Sequence, residues 1–150
     1  MIRTIGPIFV PLSVILECDL LKRKNDKVNT IVELQRTAPI HTHGAWGLIS
    51  NVASVTPFHD YNMSMVYFSC PMGCATHVDM LNPEVYHPVT YLIPIVLPHK
   101  GHSVLMVGAD HLQLKPEYLY EFDHSIPHSL EVSDPDGTGC VVAMIAVRRK

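Results

Sequence analysis

The chain has 150 residues, of which 47% are hydrophobic and only 17% are charged. This length suits a single domain over residues 1–150, and this composition excludes a disordered chain. The formal net charge is −3 with histidine neutral, and the basic residues form no long stripe, so nucleic acid is not an expected partner. Ten histidines are a high share for this length. Because histidine is the commonest metal ligand, they favour a metal site without locating it.

Residues 2–16 are apolar but are interrupted by Pro7 and Pro11. A bilayer span needs about 20 apolar residues, and no small-residue cleavage site follows. We therefore expect an extended packing segment rather than a signal peptide or membrane span, in a cytoplasmic protein. Four cysteines are too sparse for a disulfide framework, and we expect buried free thiols.

Residues 1–62 predict a supporting segment with two short helices, at 14–24 and 28–36, followed by loop over 37–62. Residues 63–150 instead contain seven short β-rich runs separated by Pro, Gly, Asn or Asp. These runs are 63–70, 75–80, 89–97, 103–108, 118–122, 127–132 and 140–147. Such spacing predicts a mainly β jelly-roll barrel, the double-stranded β-helix, with one or two short N-terminal helices. The turn residues 133–137 predict a hairpin between the last two strands.

A candidate metal site begins with His77 and Asp79. Residues two apart in a strand point to one face, so this pair would present an imidazole beside a carboxylate. A second histidine from a neighbouring strand would complete the two-histidine, one-carboxylate triad of non-haem Fe(II) oxygenases. His128 begins an alternating strand, whereas His124 lies in the preceding turn. We favour His128 as this third ligand, with His124 as the alternative.

Four segments together resemble the 2-oxoglutarate/Fe(II)-dependent oxygenases, with most similarity to the aspartyl/asparaginyl β-hydroxylase and prolyl hydroxylase branches. These segments are 70–79, 91–98, 119–130 and 140–147. The resemblance spans residues 63–148 and implies Fe(II) held by the catalytic residues His77, Asp79 and His128. It also implies 2-oxoglutarate and O₂ as co-substrates, and hydroxylation of an amino-acid residue in a peptide or of a small metabolite.

The resemblance further implies a basic partner for the far carboxylate of 2-oxoglutarate, about ten positions after the distal histidine. Positions 137–139 are Gly, Thr and Gly, which departs from the family. Arg148 lies at least eight strand residues beyond the turn, about 25 Å along the strand, so we expect it at the wrong end of the barrel. We instead predict co-substrate contacts from His87 and Tyr91, which share a strand face, and from Thr138.

The sequence leaves two other functions open. One is a cupin-like metalloenzyme that uses the same triad without 2-oxoglutarate, which the missing arginine allows. The other is a non-catalytic jelly-roll module, for binding or structure, whose histidines are incidental.

Overall fold

The structure is a computed structural model that describes residues 1–24, 29–33 and 39–150. Within these ranges the chain forms two helices and ten strands. In chain order the elements are β1 (Arg3–Pro7), α1 (Leu12–Lys24), β2 (Thr30–Glu33), α2 (Pro39–Ser54), β3 (Met63–Ser69), β4 (Cys74–His77), β5 (Tyr86–Val96), β6 (His102–Val107), β7 (Asp110–Gln113), β8 (Tyr118–Asp123), β9 (His128–Ser133) and β10 (Val141–Arg148).

The strands form two antiparallel sheets, one in the order β1-β8-β5-β10-β3-β2 and the other in the order β4-β9-β6-β7. From β3 to β10 every connection passes from one sheet to the other, except the β6–β7 hairpin. This winding is the double-stranded β-helix, so the predicted fold class is confirmed; of its two helices, α1 agrees with the prediction at 14–24 and α2 lies outside the predicted helices. No helix among the described residues has the length and apolar character needed to cross a membrane.

Two hydrophobic cores follow from the alternation of side chains along each strand. On β10, Val141, Ala143 and Ile145 belong to the core between the six-stranded sheet and the helices. Val142 and Met144 point to the opposite face and pack in the core between the two sheets. The second core is the interior of the roll, and it leads to the candidate site.

The predicted helix at 28–36 is wrong where the structure describes it, because residues 30–33 form β2 on the edge of the larger sheet. Residue 28 and residues 34–36 lie outside the described residues. Ile31 and Val32 alternate between exposure and contact with the helix-side core. This is the period of a strand, which four residues are too few to reveal in sequence.

The predicted loop over 37–62 is wrong for residues 39–54, which form α2. Gly44 and Gly47 lower the helix propensity of this segment by about 1 kcal/mol each. Packing explains the helix nonetheless: Gly44 lies against α1, and an added Cβ there would collide with the side chain of Ser13. Ala45, Leu48 and other α2 residues are buried in the helix-side core. Tertiary contact therefore outweighs the local signal.

The turn predicted at 133–137 forms, with the amide of Gly137 donating to the carbonyl of Asp134. The strands that it joins do not pair, however, because β9 and β10 lie in different sheets. The hairpin prediction is therefore wrong, and the turn carries the chain from one sheet to the other. β10 then runs back toward the end of the roll at which β9 begins.

Candidate metal centre

The two strands that hold the candidate ligands are neighbours in the smaller sheet. His77 is the last residue of β4 and His128 is the first residue of β9, and the two are direct partners across the ladder. Asp79 lies two residues beyond the end of β4, where its amide donates to the carbonyl of His124. The loop, rather than the continuous strand predicted from sequence, therefore brings Asp79 beside His77.

The three side chains converge on one point. Oδ1 of Asp79 lies 3.3 Å from Nε2 of His77 and 3.3 Å from Nε2 of His128. One ligand atom from each residue can be chosen so that all three lie within 4.8 Å of one another. The side chain of His128 is 6% exposed and that of His77 is 42% exposed. A cation held here would therefore touch the interior through His128 and remain open to solvent near His77.

Hydrogen bonds fix which nitrogen of each imidazole faces the centre. Nδ1 of His77 lies 2.8 Å from the carbonyl of Ala75, and Nδ1 of His128 lies 2.7 Å from the carbonyl of Ile126. A carbonyl only accepts, so each Nδ1 must carry the proton that it donates. In the neutral imidazole Nε2 then holds the lone pair. This arrangement is the one that metal-binding histidines use to fix tautomer and ring orientation.

Asp79 and His128 shift each other's pKa. Burial by itself would lower the pKa of His128, but the hydrogen bond to Asp79, the Ile126 carbonyl and the Asp79 charge together raise that pKa. Burial would likewise raise the pKa of Asp79, yet the hydrogen bond from His128 and the nearby imidazoles lower it. Both shifts favour the charged forms, an imidazolium at His128 and a carboxylate at Asp79.

His124 occupies a different position. It is 5% exposed, and its Nδ1 lies 2.8 Å from the hydroxyl of Thr90 in β5. Burial lowers the pKa of His124, which keeps this imidazole neutral. Among the described residues, the group that could hold a metal consists of His77, Asp79 and His128. The backbone carbonyl of His124 supports the centre, because it accepts a hydrogen bond from the amide of Asp79.

A small pocket lies between the sheets, next to the two histidines. Its volume is about 40 Å³, room for only a few water molecules. Its lining is mostly apolar and, in this described part of the chain, includes no lysine or arginine. The lining residues are Phe68, Cys74, His77, Leu92, Leu105, Phe122, His128, Ser129, Leu130, Val142 and Met144. The far carboxylate of 2-oxoglutarate would find no cation here.

A much larger cleft also borders the centre. It has a volume of about 620 Å³, and its lining includes Asp79 and Thr90. Met80 and Met144 contribute apolar surface to it, and Tyr86 lies in its wall. The carboxylate of Asp79 therefore borders both the candidate centre and this cleft.

The structure does not bring the three predicted co-substrate residues to this centre. The ring of Phe58 contacts those of His87 and Tyr91, and both residues lie on the helix-facing side of β5, opposite Thr90. They share a face, as their spacing predicted. Thr138 follows the far end of β9, about 17 Å along the strand from His128. Its amide donates to the carboxylate of Asp134 in the crossover turn.

Arg148 is placed differently from the prediction, which located it at the wrong end of the barrel. β10 returns antiparallel, so Ala146 pairs with Thr90 and Arg148 pairs with Tyr86, both at the end that holds the candidate centre. The sequence did contain the signal for this position. β9 leaves the centre from His128, and a strand that returns from the turn must end near where β9 began.

The structure is thus a double-stranded β-helix in which His77, Asp79 and His128 converge at one mouth of the roll. Solved structures share this fold. A prolyl hydroxylase from Trichoplax adhaerens, in complex with a peptide fragment of the hypoxia-inducible-factor oxygen degradation domain, superposes with a TM-score of 0.67 at 14% identity, over 98% of this chain and 83% of that chain. A prolyl-4-hydroxylase from Pseudomonas putida gives 0.63 at 11% identity, over 99% of this chain and 92% of that chain.

A cupin domain from a transcriptional regulator of Enterobacter cloacae gives a TM-score of 0.50 at 7% identity, over 83% of this chain and all of that chain. At these identities the likeness concerns the fold. No protein-family model matches the sequence, and no curated protein sequence matches it either.

Proposed function

We propose that this chain is a non-haem Fe(II) oxygenase whose iron is held by His77, Asp79 and His128. One observation carries the proposal: both histidines have Nδ1 engaged by a backbone carbonyl, and their Nε2 atoms converge with the Asp79 carboxylate. Two neutral imidazoles and one carboxylate form a donor set that suits Fe(II), and three ligands on one face leave other positions open.

Each residue has a distinct part in this function. His77 and His128 hold the metal from two paired strands, and Asp79 adds the negative charge and faces the large cleft. Thr90 and His124 keep the loop beneath Asp79 in place through their buried contact. When bound, iron would supply activation of O₂ for hydroxylation of a substrate. The apolar cleft walls would exclude water and orient that substrate.

We further propose 2-oxoglutarate as the co-substrate, and an amino-acid residue of a peptide or a small metabolite as the group that is hydroxylated. The sequence resemblance supports this finer assignment. The residues of the interior pocket do not fit 2-oxoglutarate, because the pocket is small and offers no cation. The larger cleft has the volume for it. The same misfit favours a second candidate, a cupin-like metalloenzyme that works without 2-oxoglutarate.

Anaerobic titration with Fe(II) tests the metal assignment. We expect one equivalent to bind wild-type chain, and His77→Ala and His128→Ala to weaken binding by more than about 100-fold. His59→Ala is the matched control, because His59 is exposed and also lies beside an aspartate, with Nε2 3.5 Å from the carboxylate of Asp60. Wild-type affinity in the His128 variant would contradict the proposal. Absence of metal uptake by wild-type chain would favour a non-catalytic module.

Oxygen uptake distinguishes the two oxygenase candidates. With Fe(II) and a panel of peptides and amino acids, added 2-oxoglutarate should stimulate uptake and yield succinate in the wild-type chain and in His59→Ala. Metal-dependent turnover without any effect of 2-oxoglutarate would assign the cupin-like function instead.

A further inference from the structure

Arg148 lies at the rim of the large cleft with its guanidinium above the ring of Tyr86, 5.8 Å from the ring centroid. Tyr86 lines the cleft, and the two residues are direct partners across β5 and β10. Arg148 also follows Met144 and Ala146 at the spacing of a strand face, and both of these line the cleft. The arginine is therefore at the entrance to the candidate centre.

The charge of Arg148 is not neutralised within the described part of the chain. No carboxylate there lies within 4.0 Å of its guanidinium, whereas Arg3 and Arg23 each have an acidic partner. Neighbouring Arg149 donates from Nε to the carbonyl of Pro83. Arg148 thus presents a positive charge without an acidic partner among the described residues, in a chain whose net charge is −3. Such a local field attracts anionic ligands.

The cleft itself provides almost no other charge. Among the described residues Asp79 is the one charged residue of the lining, and the other walls are mainly methionine, leucine, isoleucine, alanine and valine. A ligand that fills it would place an apolar body against these walls, near the metal ligands, and an anionic group at the rim. A guanidinium is planar and can meet a carboxylate with two parallel hydrogen bonds, and the contact with the Tyr86 ring holds that of Arg148 beside the cleft.

We propose that the substrate of this site carries a carboxylate which Arg148 binds at the rim of the cleft, so that Arg148 determines substrate specificity. This inference rests on the proposed function for the identity of the ligand as substrate. The binding itself requires only the cleft and can be measured without metal.

The test uses two pairs of probes in which an uncharged amide replaces the carboxylate: the capped tripeptides acetyl-Ala-Glu-Ala-amide and acetyl-Ala-Gln-Ala-amide, and N-acetylalanine with N-acetylalaninamide. Binding to the full chain is measured by NMR titration, with and without Fe(II) under anaerobic conditions. We expect wild-type chain to prefer the acid of at least one pair by about tenfold. Preference within the peptide pair alone indicates a peptide substrate, and preference within the N-acetyl pair indicates a free acid.

Arg148→Gln should abolish the preference, because the amide keeps a planar polar group without charge. Lys150→Ala is the charge-matched control and should keep it, since Lys150 lies over the ring of Tyr61 in the aromatic cluster with Phe58 and His87. Equal or undetectable binding of both members of both pairs, or a preference that survives Arg148→Gln, overturns the inference. Loss of the preference on adding 2-oxoglutarate also overturns it, because the arginine would then bind the co-substrate. Failure of Fe(II) uptake instead removes the proposed function and leaves metal-free binding interpretable.

Discussion

Gly73 controls the approach of β4 to β9, and its replacement by alanine should disturb both stability and metal binding. Gly73 adopts φ of +71°, in the turn that leads into β4. A Cβ at this position would lie 2.5 Å from the carbonyl oxygen of Leu130 on β9. Ordinary contact begins near 3.4 Å, so the two strands would have to separate by about 0.9 Å. Leu130 is only two residues from His128.

The loss of folding stability expected for Gly73→Ala has two contributions, which a control variant can separate. An alanine in left-handed backbone costs about 1–2 kcal/mol. Overpacking against a neighbouring strand typically adds about 1–3 kcal/mol, which gives about 2–5 kcal/mol for Gly73→Ala. Gly137 has φ of +67° but nothing within 4 Å of its added Cβ. Gly137→Ala should therefore show the backbone cost alone, about 1–2 kcal/mol.

The assay combines urea unfolding with Fe(II) or Co(II) titration of each variant. Metal sites tolerate ligand displacements of only about 0.2 Å, so Gly73→Ala should weaken metal binding by more than about tenfold. Gly137→Ala should bind metal as wild-type chain does. Equal losses of stability in the two variants, or unchanged metal affinity in Gly73→Ala, would refute the argument that this contact sets the spacing of the ligand strands.

Three other predictions concern the buried contact behind the site, the helix pair and the cysteines. Thr90→Val leaves Nδ1 of His124 without its 2.8 Å partner and should cost about 1–3 kcal/mol in urea unfolding, with metal stoichiometry unchanged because His124 is not a ligand. Gly44→Ala should destabilise the helix pair by about 1–3 kcal/mol through its collision with α1, whereas Gly47→Ala, with only a 3.3 Å contact, should be neutral or stabilising in thermal unfolding. A thiol reagent at neutral pH should label partly exposed Cys74 in the native state and reach the three buried thiols only on unfolding.

The strand-rich part of the fold was predictable because its signal is local. Alternating apolar residues mark one buried face of a strand, and Pro, Gly and Asp mark where strands end. The predicted runs at 63–70 and 140–147 agree closely with β3 and β10. The segment at 39–54 failed because its helix depends on packing against α1, which places glycine where helix propensity disfavours it. A single sequence does not display that contact.

The proximity of His77 and Asp79 was also predictable, but the structural cause of that proximity was not. The prediction placed His77 and Asp79 on one continuous strand, whereas β4 ends at His77 and a backbone contact with His124 positions Asp79. The carbonyls of Ala75 and Ile126 orient the imidazoles. Because every residue has a backbone carbonyl, the residue types do not reveal these contacts. The predicted position of Arg148 was wrong because β10 returns toward the end of the roll at which β9 begins.

The candidate centre lies at a short, irregularly paired edge strand of the smaller sheet. β4 has only four residues, lies at the edge of its sheet, and is paired with β9 at Cys74–Leu130 and His77–His128 on either side of an irregularity. A cation shared by His77, Asp79 and His128 would join this short strand, the loop after it and the first residue of β9. A ligand that binds only the folded state stabilises that state. The free energy of metal binding would therefore stabilise the pairing of β4 with β9. The large cleft borders the same loop through Asp79 and Met80, so its shape would depend on the metal as well.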